Sequence, residues 1–490
     1  MTLLMLLEMV ASGFGDRLAI GTSARGLTFQ QLLDRVANGS AVLSARGSQA
    51  VAYVGTSDLA FPIALFSAAW AAVPLIPLNY RLSDEQLGSL LANHDDVLVI
   101  TDDPERLAEL APADTDIVSL DDWMALTADG LGATDMTPSG ADGDDVAVLL
   151  YTSGTTSTPK AVVLRHRHLA AYVITSIEFA TGDEDTAALI TVPPYHIAGV
   201  ANLVTSIYST RRVVYLPVFS PQAWLELVRS ERITQAFLVP TMLARVVEHL
   251  DGAPADCPSL KSLAYGGARM PITVLERALA AFGDAGFVNA YGLTETSSTL
   301  AVLTPDDHRA AATGDPVAVA RLGSAGRLVP GVEVEIRDGE LWARGEQVSG
   351  EYLGRESATD ADGWFPTRDR GWFDDDGYLF IEGRSDDTII RGGENIAPAE
   401  IEDVLLTHPA VLDVAVVGLP DDEWGQRLAA AVVLRDGAAA DEDELQAFAR
   451  QHLRSSKTPD LIAFRAELPH TDTGKLLRRA VLADLGRETS

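Results

Sequence analysis

From about residue 145 to 295, short apolar and β-branched runs alternate with amphipathic stretches. Val146-Ala147-Val148-Leu149-Leu150-Tyr151, Ala188-Leu189-Ile190-Thr191-Val192, Gln235-Ala236-Phe237-Leu238-Val239 and Phe287-Val288-Asn289-Ala290-Tyr291 predict strands, while His168 to Glu178, Gln222 to Arg232 and Thr241 to Leu250 predict helices. Such alternation is α/β layering with a largely parallel sheet. Between about 330 and 382 the texture changes to hairpins. Val332 to Ile336 and Leu341 to Arg344 flank Asp338-Gly339, and Asp376-Gly377 precedes Tyr378-Leu379-Phe380-Ile381. Beyond Gly383-Arg384-Ser385-Asp386 the pattern starts again, with helices from Pro398 to Leu406 and from Asp441 to Leu453 and strands Val411 to Val417 and Ala429 to Leu434. At about 150 residues per domain, 490 residues imply more than one unit. The expectation is a large N-terminal domain of layered α/β subdomains over 1–385, with a β-rich subdomain at about 325–385. A small mobile α+β C-terminal domain over 386–490 follows through a polar hinge.

Two apolar stretches need placing. The opening Met1 to Leu7 has no basic flank, is interrupted by Glu8 and reads as a core helix rather than a signal peptide. Leu59 to Tyr80 carries no Asp, Glu, Lys or Arg, yet Pro62, Pro74 and Pro77 divide it, so a buried helix running into a turn and strand is expected and no integral membrane segment. Composition is globular, with 47% hydrophobic and 22% charged residues, which excludes a disordered chain. The net charge of −33 repels nucleic acid over most of the surface. A local pocket for a small polyanion remains possible with a few cations, backbone N–H groups or a metal. The single Cys257 excludes an intrachain disulfide framework and fits a reducing, cytoplasmic setting.

Four segments carry candidate chemistry. Tyr151-Thr152-Ser153-Gly154-Thr155-Thr156-Ser157-Thr158-Pro159-Lys160 follows a buried strand, and hydroxyls and small residues at the end of a parallel strand offer donors to a phosphate, with Lys160 adding charge. It lacks the Walker A spacing, and a surface loop is an equal alternative. Tyr291-Gly292-Leu293-Thr294-Glu295-Thr296 also ends a strand. Its Glu295 could hold Mg²⁺ against a triphosphate and Thr294 a phosphate oxygen, or Thr294 could simply be an N-cap. In Thr367-Arg368-Asp369-Arg370-Gly371 an Asp in a loop could accept a ribose diol, or the segment is a plain turn. Thr471-Asp472-Thr473-Gly474-Lys475 sets a lysine on a short segment that could reach another domain's cleft, or forms a solvated basic tail.

In this order the four are far more specific than any one. With Pro193-Pro194-Tyr195-His196-Ile197-Ala198-Gly199, Gly266-Gly267-Ala268, Gly339-Glu340-Leu341 and Gly392-Gly393-Glu394-Asn395, the chain resembles the class I adenylate-forming superfamily of acyl-CoA synthetases, nonribosomal adenylation domains and luciferases. The resemblance runs nearly end to end. It implies an AMP-forming acyl-CoA synthetase that joins a carboxylic acid to the α-phosphate of ATP, releases pyrophosphate and passes the acyl group to the CoA thiol. Bringing one anion onto another needs positive charge in a water-poor cleft.

By resemblance, Lys475 bridges the substrate carboxylate and the α-phosphate, Thr152, Ser153, Gly154, Thr155 and Thr156 wrap the outer phosphates with Lys160 and Thr294, and Glu295 with Thr155 holds Mg²⁺. Asp369 and Arg384 fix the ribose, while Gly266, Gly267, Ala268, Tyr291 and Gly292 border the adenine. His196, Val200 and Gly292 face the acyl group, the C-terminal domain turns about Asp386, and Gly392 and Gly393 line a channel for pantetheine. The stretch after His196 has no carboxylate to pair with an amine, which favours a fatty or other apolar acid. A buried structural histidine is the alternative.

Three residues depart from the family pattern: Ser157 and Ala161 stand where glycines are usual, and Arg368 replaces the glycine before Asp369. At Ser157 and Ala161 a loop that needs positive φ would be hindered, and Arg368 adds bulk and positive charge close to the expected ribose. Transfer to an acyl carrier protein in place of CoA, and a nucleotide-binding homologue that has lost turnover, are the rival readings. A homodimer is compatible with either.

Overall fold

The computed structural model describes residues 1–128, 140–152, 159–421, 423–471 and 476–488. The phosphate-loop residues Ser153 to Thr158 and the Asp472 to Lys475 segment lie outside the described residues.

The large N-terminal part contains two sheets. A six-stranded sheet runs in the order Asp116–Ser119, Val97–Thr101, Ala50–Val54, Leu75–Pro77, Val146–Thr152, Lys160–Arg165. Ala50–Val54 and Val97–Thr101 are buried at every position, as expected of parallel strands covered on both faces. A nine-stranded sheet runs from Arg327–Leu328 through Ser298–Leu303, Gly286–Leu293, Ser262–Gly266, Gln235–Leu238, Ala187–Ile190 and Arg212–Tyr215 to Leu18–Gly21 and Gly26–Thr28. Its inner strands pair in parallel. The helices Leu3–Phe14, Phe29–Arg46, Ala60–Ala71 and Ile197–Tyr208 contribute to one apolar core shared by strands of both sheets. Ala60–Ala71 is buried on all sides, and no helix among the described residues is long and apolar enough to cross a membrane.

One expectation is corrected. Val146–Thr152 does not continue the sheet of Ala187–Ile190, Gln235–Leu238 and Gly286–Leu293 but belongs to the six-stranded sheet, where it pairs in parallel with Leu75–Pro77 and antiparallel with Lys160–Arg165. Connection length accounts for the second of these pairings. The few residues after Thr152 can close an antiparallel hairpin but not a parallel crossover. The phosphate-loop candidate thus falls between two strands that pair antiparallel, Val146–Thr152 and Lys160–Arg165.

Val332–Arg337, Glu340–Gly345, Phe365–Phe373 and Leu379–Arg384 form an antiparallel four-stranded sheet. Asp338 and Gly339 both take positive φ, 51° and 79°, the geometry that lets a two-residue turn match strand twist. After it come a short hairpin, Ile389–Arg391 with Glu394–Ile396, the helix Pro398–Leu406, a three-stranded sheet of Val411–Asp421, Gly425–Leu434 and Leu461–Phe464, and the helices Glu442–His452 and Arg478–Glu488. Two apolar cores of this smaller C-terminal part draw all their buried residues from beyond residue 388.

The far edge of the nine-stranded sheet is pinned by an enclosed ion pair. Arg212 Nη1 lies 2.6 Å from Glu231 Oε2, with side chains only 12% and 11% exposed, and also donates to the Gly21 carbonyl, while the Ser23 N–H donates to Glu231. Burial pushes the Glu231 carboxyl up, but hydrogen bonds from Ser23 and Arg212 outweigh it and hold it below its ordinary value. Its contribution to stability is therefore present at neutral pH and fades as pH falls through the carboxylate range. Arg212→Ala strands the carboxylate and is expected to cost about 3 kcal/mol in the first urea unfolding transition at pH 7. The gap to wild type should narrow toward pH 3; an equal gap at both pH values would refute the assignment.

Candidate active site

The site grows from a charged residue at an inward strand position. Along Phe365–Phe373, burial alternates so that Phe365, Thr367, Asp369 and Gly371 face inward. Asp369 is only 5% exposed, and directly across the antiparallel pair stands Arg384. Arg384 Nη1 donates to Asp369 Oδ1 at 2.9 Å and to the Thr367 carbonyl at 3.2 Å, and the Tyr291 O–H donates to Asp369 Oδ2 at 2.6 Å. A buried carboxylate needs such partners. Burial, then the Asp369 charge, drives the Tyr291 phenol far above its ordinary value, so it stays a donor. Burial works against charge on Arg384, but Asp369 and Glu295 more than compensate. Asp369 thus lies in a strand and not in the loop expected from Thr367 to Gly371. The charges on either side of it, Arg368 and Arg370, mask the alternation in the sequence.

Tyr291 lies on Gly286–Leu293, a strand that runs two residues beyond its expected end into a 3₁₀ turn, Thr294–Thr296. The Leu293 N–H donates to Thr296 Oγ1, so Thr296 closes this turn and Thr294 is not its N-cap. Glu295 Oε1 accepts the Tyr352 O–H at 2.9 Å, and the Glu295 carbonyl accepts the Ser349 N–H. Among the described residues Glu295 makes no ion pair, which leaves its second oxygen available to a cation. Lys160 Nζ lies 5.6 Å from the Tyr352 ring centroid, beside the mouth of the hairpin where Thr152 Oγ1 reaches the Lys160 carbonyl. Tyr352 thus links the segments of Lys160 and Glu295. No motif or periodicity marks it in the sequence.

Close backbone approach explains the glycines here. A Cβ on Gly292 would sit 1.7 Å from the Ser298 carbonyl oxygen, and one on Gly266 would sit 2.2 Å from that of Ala290. These contacts bring Gly266, Gly267 and Ala268, at the end of Ser262–Gly266, alongside the strand of Tyr291. His196 is the N-cap residue of Ile197–Tyr208, its ring 4.6 Å from that of Tyr195, and Val200 is buried one turn into the helix. Gly392 and Gly393 form the turn of the Ile389–Arg391 hairpin, where Gly392 faces Trp424. They are not joined to the Asp369 cluster by any hydrogen bond among the described residues. Asp386 sits in the 3₁₀ turn Ser385–Asp387.

Two of the departures have structural consequences. Ala161 lies within Lys160–Arg165, paired with Tyr151 at a backbone conformation any residue adopts, so its methyl group costs nothing there. Arg368 instead takes φ +61°, where glycine is at ease and arginine is strained. Ser157 lies outside the described residues.

The chain matches two family models, AMP-binding enzyme over residues 7–353 and AMP-binding enzyme C-terminal domain over residues 400–475. It is 34% identical to a feruloyl-CoA synthase of an Amycolatopsis species, covering 96% of each chain, and 33% identical to a fatty acid–[acyl-carrier-protein] ligase of Streptomyces coeruleorubidus, covering 94% of this chain and 92% of that one. Its fold matches that of o-succinylbenzoate CoA synthetase from Bacillus subtilis in complex with its acyl-adenylate intermediate, with a TM-score of 0.84 at 28% identity over 97% of each chain. The same enzyme in complex with ATP and magnesium ion gives a TM-score of 0.83 at 27% identity, covering 98% of this chain and 99% of that one. The chain therefore belongs to the AMP-binding enzymes, the class I adenylate-forming superfamily, and resembles acid–thiol ligases of that family along nearly its whole length.

Proposed function

We propose that the protein is an AMP-forming acid–CoA ligase for an apolar carboxylic acid, fatty or aromatic. The observation that carries the nucleotide part is the buried Asp369 carboxylate held by Arg384 and Tyr291. Each of its oxygens has one protein donor and one lone pair to spare, which suits the paired hydroxyls of a ribose. Gly266, Gly267 and Ala268 beside Tyr291 offer a flat border for an adenine. In the first step a carboxylate oxygen attacks the α-phosphorus and pyrophosphate departs with the bonding pair. In the second a thiolate attacks the acyl carbonyl and AMP departs.

Both steps need charge held in place. Arg384 and Lys160 supply cations near the nucleotide, and Lys475 is assigned the bridge between carboxylate and α-phosphate. Glu295, fixed by Tyr352 and with an oxygen to spare, fits a magnesium ion that needs only one or two protein carboxylates besides phosphate oxygens. Such an ion, when bound, neutralises phosphate charge. An apolar acid is favoured because no Asp, Glu, Lys or Arg occurs from Pro193 to Tyr208, the stretch of His196 and the helix Ile197–Tyr208. The similarity to a feruloyl-CoA synthase and a fatty-acid ligase agrees with that choice. The split into 1–385 and 386–490, turning at Asp386, lets one cleft serve both steps.

Three outcomes check this reading. Pyrophosphate release with ATP, Mg²⁺ and a panel of aliphatic and aromatic acids should depend on the acid, and mass spectrometry should detect the CoA thioester. Acid-dependent release without a thioester, together with acylation of a carrier protein, would move the acceptor from CoA to the carrier. ATP binding with no release from any acid would sink the ligase assignment. Lys475→Ala should abolish adenylate formation yet leave thioester formation from supplied acyl adenylate largely intact; equal loss of both would remove Lys475 from its assigned role. Tyr291→Phe deletes one hydrogen bond to a buried charged group, so it should lower the melting temperature and, in the protein that remains folded, weaken ATP binding by about tenfold or more. Unchanged affinity would separate the Asp369 cluster from the nucleotide.

A further inference from the structure

Arg368 is strained where the family pattern has glycine, and a β-bulge explains where it points. The pairings Trp342 with Pro366 and Glu340 with Arg370 leave Leu341 alone opposite Thr367, Arg368 and Asp369. Thr367 Oγ1 ties the bulge to the Leu341 carbonyl, and the Arg368 N–H donates to Glu340 Oε1 at 3.0 Å. Bulges re-aim side chains beside functional sites. This one buries Asp369 on one side and turns Arg368 out to the Ser385–Asp387 turn, where its Nη1 lies 3.6 Å from Asp386 Oδ2. The next residue of that turn, Asp387, is held from the C-terminal part: Arg478 Nε lies 3.4 Å from Asp387 Oδ2, and Arg478 also pairs with Glu402. The turn between the two parts is thus gripped from both sides.

We propose that Arg368 is a positioning residue that ties the turning point at Asp386 to the nucleotide strand, so that it favours the domain arrangement seen here over others. The inference rests on the two-step reading above, in which the C-terminal domain turns about Asp386. The strain at Arg368 is consistent with a side chain retained for its charge. Both partners are about half exposed, at 51% and 45%, so the tie is weak and sensitive to salt. It biases an equilibrium without locking it. Because Arg368 neighbours Asp369 in the chain, the tie also connects the domain arrangement to the strand that holds the nucleotide.

The test uses the full chain with spin labels at exposed Asp362 and Asp443, in a Cys257→Ser background, and reads the interdomain distance distribution. Arg368→Gly and Arg368→Ala should each shift population away from the wild-type distance by about two- to fivefold at 50 mM salt, the range of a weak exposed ion pair. Raising salt to 500 mM should move wild type the same way and move both variants less, since the exposed Arg269–Asp403 pair between the two parts remains in them, while Arg368→Lys restores the full salt response. Comparing the two variants isolates the charge, since only glycine relieves the backbone strain and both lose the ion pair. In parallel, the ratio of adenylate formation to thioester formation from supplied acyl adenylate should change by a similar factor in both. Wild-type distances and salt response in Arg368→Ala would overturn the proposal, whatever the activity. A distance shift in a protein that releases no pyrophosphate would keep the tie and sink only the ligase reading.

Discussion

The site depends on a carboxylate kept charged out of water. An isolated ionised group at the position of Asp369 would be strongly disfavoured, so the strand carrying it is stable only with Arg384 and Tyr291 in place. Those partners come from different layers: Arg384 from the adjacent strand of the small antiparallel sheet and Tyr291 from the large sheet. Satisfying one charge therefore docks the small sheet onto the large one at a fixed point. Thr367, which donates its hydroxyl to Leu341 and accepts from the Asp369 N–H, holds the strand against sliding in register.

Around this point the backbones lie closer than side chains allow. Gly292 against Ser298 and Gly266 against Ala290 bring backbone into close contact beside Tyr291. The second charged anchor, Glu295 with Tyr352, is built differently. It stands on a 3₁₀ turn closed by Thr296 and takes its donor from a segment over fifty residues away, close to Lys160. Asp369 has one protein donor on each of its oxygens, whereas Glu295 has its side-chain donor on one oxygen alone. That difference in environment separates a group that positions from one that can coordinate.

The layered fold was largely legible because burial leaves a period. Pro398–Leu406 matches its expected span, and the hairpin at Asp338-Gly339 follows from the positive φ its turn demands. What periodicity could not tell was which sheet a strand joins. Val146–Thr152 reads like its successors, and its parallel pairing with Leu75–Pro77, a strand far earlier in the chain, puts it in the other sheet. Asp369 was visible as a motif residue but not as a strand residue, since inward and outward positions there are both charged or polar. Tyr352 left no signal at all, because its value lies in a contact distant in sequence.

The charge balance gives these local arrangements their weight. A chain of net charge −33 presents a repulsive field to ATP, CoA and a carboxylate alike. Screening confines that field to about 8 Å at physiological salt, so an anion meets mainly what lies inside the cleft. There the balance is set by few groups: Arg384 is committed to Asp369, while Lys160 stands over Tyr352. Cations already paired to structural carboxylates offer less net attraction than their number suggests. On the proposed function, neutralising a triphosphate would then fall on backbone donors, the lysines and a divalent ion. On that reading, a sequence rich in hydroxyls and a carboxylate with a spare oxygen serve the same end in an acidic protein.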